Sequence, residues 1–239
     1  MAGQTDSTTP RERYRAQVRA EIKEHAWDQI GTAGASALSL NAIAKQMGMS
    51  GPALYRYFAN RDELITALIR DAYQSLADTM HTTAAKAGVV TGAPDVHALA
   101  RSLRMWALAD PQRYLLIYGT PIPGYHAPDD ITAVSAEIMA TLLDACAALP
   151  YEPAPAPGPA PGPAPASAPF AEHLETHRDW ARGHPAPAAV LHRALTVWTR
   201  LHGVLSLELA GHFAGMGFDP AELYAAEVAA ATAPPPPAG

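Results

Sequence analysis

Apolar residues recur every three or four positions along most of the chain, and sustained alternation of apolar and polar residues, which would mark half-buried strands, is missing. That spacing predicts an all-α fold. Val18, Ile22, Ala26 and Ile30 lie four apart and form one stripe on a first helix over about 11–32, with Gly34 just past its end. A short second helix follows Ser39, with Leu40, Ile43, Ala44 and Met47 on its buried side, and Gly48 permits a left-handed turn after it. Ser50 is placed to cap a third helix, in which Pro52 needs no amide partner and Leu54 and Phe58 point inward at i, i+4. Asn60-Arg-Asp-Glu63 has the form of a capping box. It opens a fourth helix from Asn60 to about Met80, striped by Leu64, Ile65, Leu68, Ala72, Leu76 and Met80.

Further helices are expected over about 95–109, 111–118, 130–149 and 186–213, with a last one from Asp219 to about Ala231. The helix over 186–213 is apolar on several sides, which predicts a core face and a partner face. With 239 residues, 49% of them hydrophobic, the chain can bury a real core. Of its 23 prolines, eight fall between Pro153 and Pro169 and four between Pro234 and Pro237. The first group favours extended polyproline II and cannot build a core, so it is expected to be a linker or loop.

A net charge of -6 has the wrong sign for a nucleic-acid binder, but it is unevenly spread. Residues 11–61 carry eight Lys or Arg against four acids, or +4, which leaves -10 for the rest. This predicts a basic amino-terminal module suited to phosphate and an acidic body that is not. The single cysteine, Cys146, rules out an internal disulfide and a Cys-rich zinc site and suits a reducing compartment. No apolar run is expected to reach the roughly 18 residues of a membrane span, and the polar start MAGQTDSTTPRER does not suit a signal peptide, so the expected location is cytoplasmic.

Two short helices joined by Met47-Gly48-Met49-Ser50 between two longer ones form a helix-turn-helix arrangement. The pattern sharpens in Leu54-Tyr-Arg-Tyr-Phe-Ala-Asn-Arg-Asp-Glu-Leu64, with Ile43-Ala44 eleven residues before Leu54. Residues 11–68 thereby resemble the DNA-binding domain of the TetR family of bacterial transcriptional regulators. On physical grounds Leu54 and Phe58 hold the third helix to the first two, while Gly51, Ala53 and Arg56 face outward. Small residues let a helix sink into the major groove, and Arg56 can make a bidentate contact to guanine. Tyr55, Tyr57 and Arg61 suit phosphates, as does Ser39 with its hydroxyl and adjoining amides. The resemblance implies that these positions, together with Ser50 and Pro52, are DNA contacts. The chain departs from the family where Arg61 replaces a frequent Lys and Ala42 a frequent Glu; neither change removes a needed positive charge.

Farther on, Trp198-Thr-Arg-Leu-His202-Gly203 resembles the Trp-x-x-x-His-Gly signature of one TetR subgroup, and the looser likeness runs over about 95–232. It implies a ligand-binding and dimerisation domain over 69–232, interrupted by the Pro/Ala-rich loop at 150–169, with disordered ends at 1–10 and 233–239. The candidate ligand-lining residues are Met105, Trp106, Tyr114, Tyr118, Tyr125, Trp198 and His202. Expected partners are double-stranded operator DNA, a second copy of the chain and a small, largely apolar effector that releases a repressor; no cofactor, metal or membrane is expected. Catalysis is not expected. His173-Leu-Glu-Thr-His177 has zinc-pair spacing but lacks the second-position Glu of HExxH, and Gly119 to Gly124 has P-loop spacing without the following Lys. The alternatives are a metal-sensing regulator using His173, His177 and His184, or a DNA-binding protein that needs no ligand.

Overall fold

The computed structural model describes residues 9–126, 128–150 and 168–233. Among these there are ten α-helices and no strand: α1 Pro10–Ala33, α2 Leu40–Gln46, α3 Gly51–Leu54, α4 Arg61–Thr91, α5 Val96–Ala109, α6 Pro111–Tyr118, α7 Asp129–Ala148, α8 Ala168–Thr176, α9 Ala188–Leu209 and α10 Pro220–Thr232. The all-α expectation holds. The chain divides into two compact units, one made of Met1–Ala72 and Gln112–Pro128, the other of Tyr73–Pro111 and Asp129–Gly239.

In the first unit the stripe of α1 is buried as its spacing predicts, and Ile22, Ala26, Ile43, Leu54, Phe58, Leu64, Ile65 and Leu68 lose all exposure. Ser39 caps α2 by accepting the Ala42 N–H at 3.4 Å. At the other end of α2, Gly48 adopts φ +65°, so that its N–H reaches Lys45 C=O at 3.2 Å while Met49 N–H reaches Ala44 C=O at 2.8 Å. This paired closure is a Schellman motif, and it fixes the direction in which α3 leaves. The box at α4 is offset by one residue from the expected form. Asn60 Oδ1 accepts the Glu63 N–H at 2.8 Å, but the Glu63 carboxylate accepts the Ala59 N–H at 2.7 Å. Tyr114 of α6 is fully buried, and α6 closes at Gly119, where an added Cβ would stand 2.4 Å from the Leu115 carbonyl oxygen.

The second unit packs α5, α7, α8, α9 and α10 around Leu99, Leu103, Ile138, Leu143, Leu191, Val197 and Leu205. Three polar side chains that enter this core find partners there. Tyr224 Oη donates to Ala100 C=O at 2.9 Å, Trp106 Nε1 to Ser75 Oγ at 3.1 Å, and Arg104 makes a two-pronged bond to Glu208 at 2.5 and 3.2 Å.

Several expectations need correction. α4 continues to Thr91 because nothing after Met80 breaks it until Gly92, at φ +81°. α9 stops at Leu209, ahead of Gly211 at φ +76°, and not at Phe213. α8 was not expected. The stretch Ile131–Ala148 is long and apolar enough to cross a membrane, with mean hydropathy 1.5, contrary to the expectation of no such run. Its Ile131, Ile138, Leu142, Leu143 and Cys146 are buried within the second unit, as in the core helix of a folded domain. The expectations for residues 1–8, 151–167 and 234–239, including most of the Pro/Ala-rich segment, lie outside the described residues.

Gly48→Ala forces a side chain into the left-handed region and should lower stability by about 1–2 kcal/mol in a urea titration.

Candidate nucleic-acid interface

A helix of four residues such as α3 is too short to hold its own shape, since helix nucleation is unfavourable and only propagation repays it. Its neighbours supply the shape. Leu54 and Phe58 anchor it in the core, and the chain after it tightens, with Tyr57 N–H donating to Leu54 C=O at 2.8 Å and Phe58 N–H to the same oxygen at 3.3 Å. Phe58 therefore lies beyond the helix and still reaches the core through this tight turn. The carbonyls that follow are taken by α1. Arg15 Nη2 donates to Arg56 C=O at 3.2 Å, Arg19 Nη1 donates to Tyr57 C=O, and the Arg19 guanidinium lies 4.0 Å from the centroid of the Phe58 ring. Arg19 also pairs with Glu63 at 3.6 Å, which joins this clamp to the cap of α4.

Of Gly51, Ala53 and Arg56, expected to face outward, only Arg56 is exposed. Pro52, Tyr55 and Arg56 are exposed, Tyr55 to 45%, while Gly51, Ala53 and Tyr57 are half-buried. The Arg56 side chain makes no hydrogen bond or ion pair among the described residues, so all its N–H donors are open to a ligand. The Tyr57 ring lies under Arg15, with 5.9 Å between guanidinium and centroid. Ser50 occupies the cap position of α3, but its side chain makes no capping bond. Ser39 accepts one amide with its hydroxyl oxygen, and its own N–H donates to Gln29 Oε1 at 3.0 Å; its hydroxyl proton can still be offered to a phosphate.

Arg61 has a second task that its sequence position does not reveal. Its Nη2 donates to Ala35 C=O at 2.8 Å and Ser36 C=O at 3.2 Å, and its Nε donates to Leu38 C=O at 3.2 Å. The guanidinium therefore ties the α1–α2 connection to the start of α4. Its Nη1 pairs with the Asp62 carboxylate at 3.8 Å. Sequence reasoning missed Arg15 and Arg19 altogether. Their signal was an i, i+4 arginine pair flanking the buried Val18 and Ile22.

The candidate effector residues fall into both units. Tyr114, Tyr118 and Tyr125 belong to the first, where the Tyr114 and Tyr118 rings stand 5.3 Å apart and Tyr125 Oη hydrogen-bonds Thr66 Oγ1 at 3.0 Å. Met105, Trp106, Trp198 and His202 belong to the second. There Trp198 and His202 pack with centroids 4.1 Å apart, and burial pushes the His202 imidazole down to about 4. Met105, 70% exposed, lines a groove of about 320 Å³ between α5 and α10, with Ala100, Arg101, Arg104 and Tyr224 among its walls.

The histidines weighed as metal ligands are used otherwise. His173 and His177 stack at 3.9 Å, and His177 Nδ1 lies 3.0 Å from its neighbour's carbonyl oxygen. His184 Nδ1 accepts the Ala186 N–H at 3.2 Å, which leaves Nε2 to donate to Asp144 at 3.1 Å. Among the described residues no group of three or more His, Cys, Asp or Glu side chains is placed to hold a metal ion.

Comparison with known proteins gives two family matches. Residues 22–68 match the model for bacterial regulatory proteins of the tetR family, and residues 96–231 match the tetracyclin repressor-like C-terminal domain. The HTH-type transcriptional regulator Rv1816 of Mycobacterium tuberculosis is 36% identical over 226 residues, 94% of each chain. A solved structure of the proposed regulatory protein SCO4313 is 62% identical, with TM-score 0.81 over 95% of this chain and 100% of the other. A structure of a proposed tetR family transcription regulator from Shewanella sp. PV-4 shares the fold at 16% identity, with TM-score 0.51 over 90% of this chain and 95% of its own.

Because His202 is held neutral in the fold, the unfolded chain takes up its proton first as pH falls below about 6.5. Stability should therefore drop between pH 6.5 and about 4, by about 3 kcal/mol from this group. His202→Gln should flatten that part of the profile in denaturant titrations run at several pH values; an unchanged profile would mean that the ring is not kept neutral.

Proposed function

Because the chain belongs to the TetR family of bacterial regulatory proteins and is thus a DNA-binding transcriptional regulator, we propose that it acts in the cytoplasm as a homodimeric repressor released by a small, largely apolar ligand. The observation that carries this reading is the clamped segment Gly51–Tyr57, which offers an uncommitted Arg56 between small residues and tyrosines. In the major groove Arg56 reads a base, and Ser39, Ser50, Tyr55, Tyr57 and Arg61 hold phosphates on either side.

One such segment gives few contacts, so tight binding calls for two copies on one face of the duplex, a helical turn or a multiple apart. Exposed apolar side chains at the end of α9 and after it, Leu207 at 44%, Met216 and Phe218, supply surface for association. For the ligand, the proposed lining within the second unit is Met105, Trp106, Trp198 and His202, while the other candidates, Tyr114, Tyr118 and Tyr125, belong to the first unit. Release follows from linkage: a ligand that favours an arrangement in which the two reading segments miss their half-sites weakens DNA binding, and DNA weakens ligand binding by the same factor.

Selection from random duplexes should return an inverted repeat, and analytical ultracentrifugation at micromolar concentration should give a dimer mass. A monomer, or a selected site without two-fold symmetry, would contradict the proposal. On the selected site, Arg56→Ala should relax preference at one base position per half-site by about 1–3 kcal/mol. Equal losses on selected and random DNA would move base reading to another side chain.

A further inference from the structure

The first two turns of α1 bury nothing. Residues 10–17 are all exposed, and Val18 is the first position to enter the core. At 1.5 Å per residue this overhang is about 12 Å long. It is nevertheless fully capped: Glu12 N–H donates to Thr9 Oγ1 at 3.3 Å, while the Glu12 carboxylate takes the Thr9 N–H at 2.7 Å and the Thr9 hydroxyl at 2.8 Å. Those bonds hold the Glu12 carboxyl below its ordinary range, so it stays ionised and occupied within the cap.

The remaining charge is all positive and belongs to Arg11, Arg13 and Arg15. Arg15 is the residue that reaches back to the Arg56 carbonyl, which marks the side of α1 adjoining the reading segment. Arg11 lies one turn before Arg15 on that same side, and Tyr14, 64% exposed, flanks it. Neither makes a hydrogen bond or ion pair among the described residues. Arg13, two positions on from Arg11, projects from nearly the opposite side of the helix.

We propose that this overhang is a second phosphate-binding element, in which the Arg11 guanidinium and the Tyr14 hydroxyl grip the sugar–phosphate backbone flanking each half-site. The inference rests on the DNA-binding reading of α3 and extends it to α1. The groups that hold the phosphate are side chains, and the amide end of the helix is already closed by Thr9 and Glu12. Such contacts carry no base information; they add affinity, set the register of α3 and steepen the salt dependence.

The test uses the full chain and a mixed-sequence DNA duplex several helical turns long, with affinity measured across a range of salt concentrations. Arg11→Ala should lower the slope of log K against log salt by about 0.9 per subunit, weaken selected and random DNA by the same factor, and leave the melting temperature unchanged. Arg13→Ala removes the same charge from the far side of the helix and should leave the slope as in the unmodified protein. An unchanged slope for Arg11→Ala, or equal decreases for both variants, would overturn the arm while leaving the reading of α3 in place. If the unmodified protein fails to bind the duplex even at low salt, the DNA-binding reading falls and the arm falls with it.

Discussion

The reading segment depends on two arginines of α1 that donate to the carbonyl groups of Arg56 and Tyr57. A four-residue helix followed by a turn leaves carbonyls without intrahelical partners, and exposed carbonyls left to water would let the segment fray. Arg15 and Arg19 satisfy them from outside the segment, and Arg19 also covers Phe58, whose burial pins the turn to the core. The outward set of Pro52, Tyr55 and Arg56 is therefore positioned by α1 side chains that grip the backbone of the same segment.

Arg61 works in the same manner on another piece of backbone. By bonding three carbonyl oxygens of the α1–α2 connection it fixes where α2 begins, and hence where Ser39 presents its hydroxyl. The two devices meet at Glu63, which pairs with Arg19 and caps the chain ahead of α4. α4 then continues without a break from Arg61 to Thr91, so the helix that starts at this junction also supplies Ser75, the acceptor for Trp106, to the second unit.

Much of this was legible in the sequence because it depends on local rules. Leu54 and Phe58 announced their burial by spacing, Gly48 its turn by the need for positive φ, and Ser39, Asn60 and Asp219 their caps by short polar side chains ahead of apolar runs. What escaped is long in sequence and short in space. The clamp joins residues 41 and 38 positions apart, and the Arg61 bonds span 23 to 26, distances over which no periodicity survives. The end of α3 is ambiguous in the sequence for a related reason, since i, i+4 spacing at Leu54 and Phe58 fits a helix and a tight turn equally well. The candidate effector residues have in common only large aromatic or thioether side chains, and composition cannot say which of those share a unit.

The central claim is that α1 lends the reading segment its shape, and amide hydrogen exchange on an Arg15→Met, Arg19→Met variant tests it most directly. Both side chains keep their apolar stems but lose every donor, so the buried stripe of α1 should hold and global unfolding should remain cooperative. The account predicts faster exchange confined to about Tyr55–Phe58, together with weaker binding to duplex DNA. Unchanged exchange in that segment, with DNA affinity retained, would contradict it.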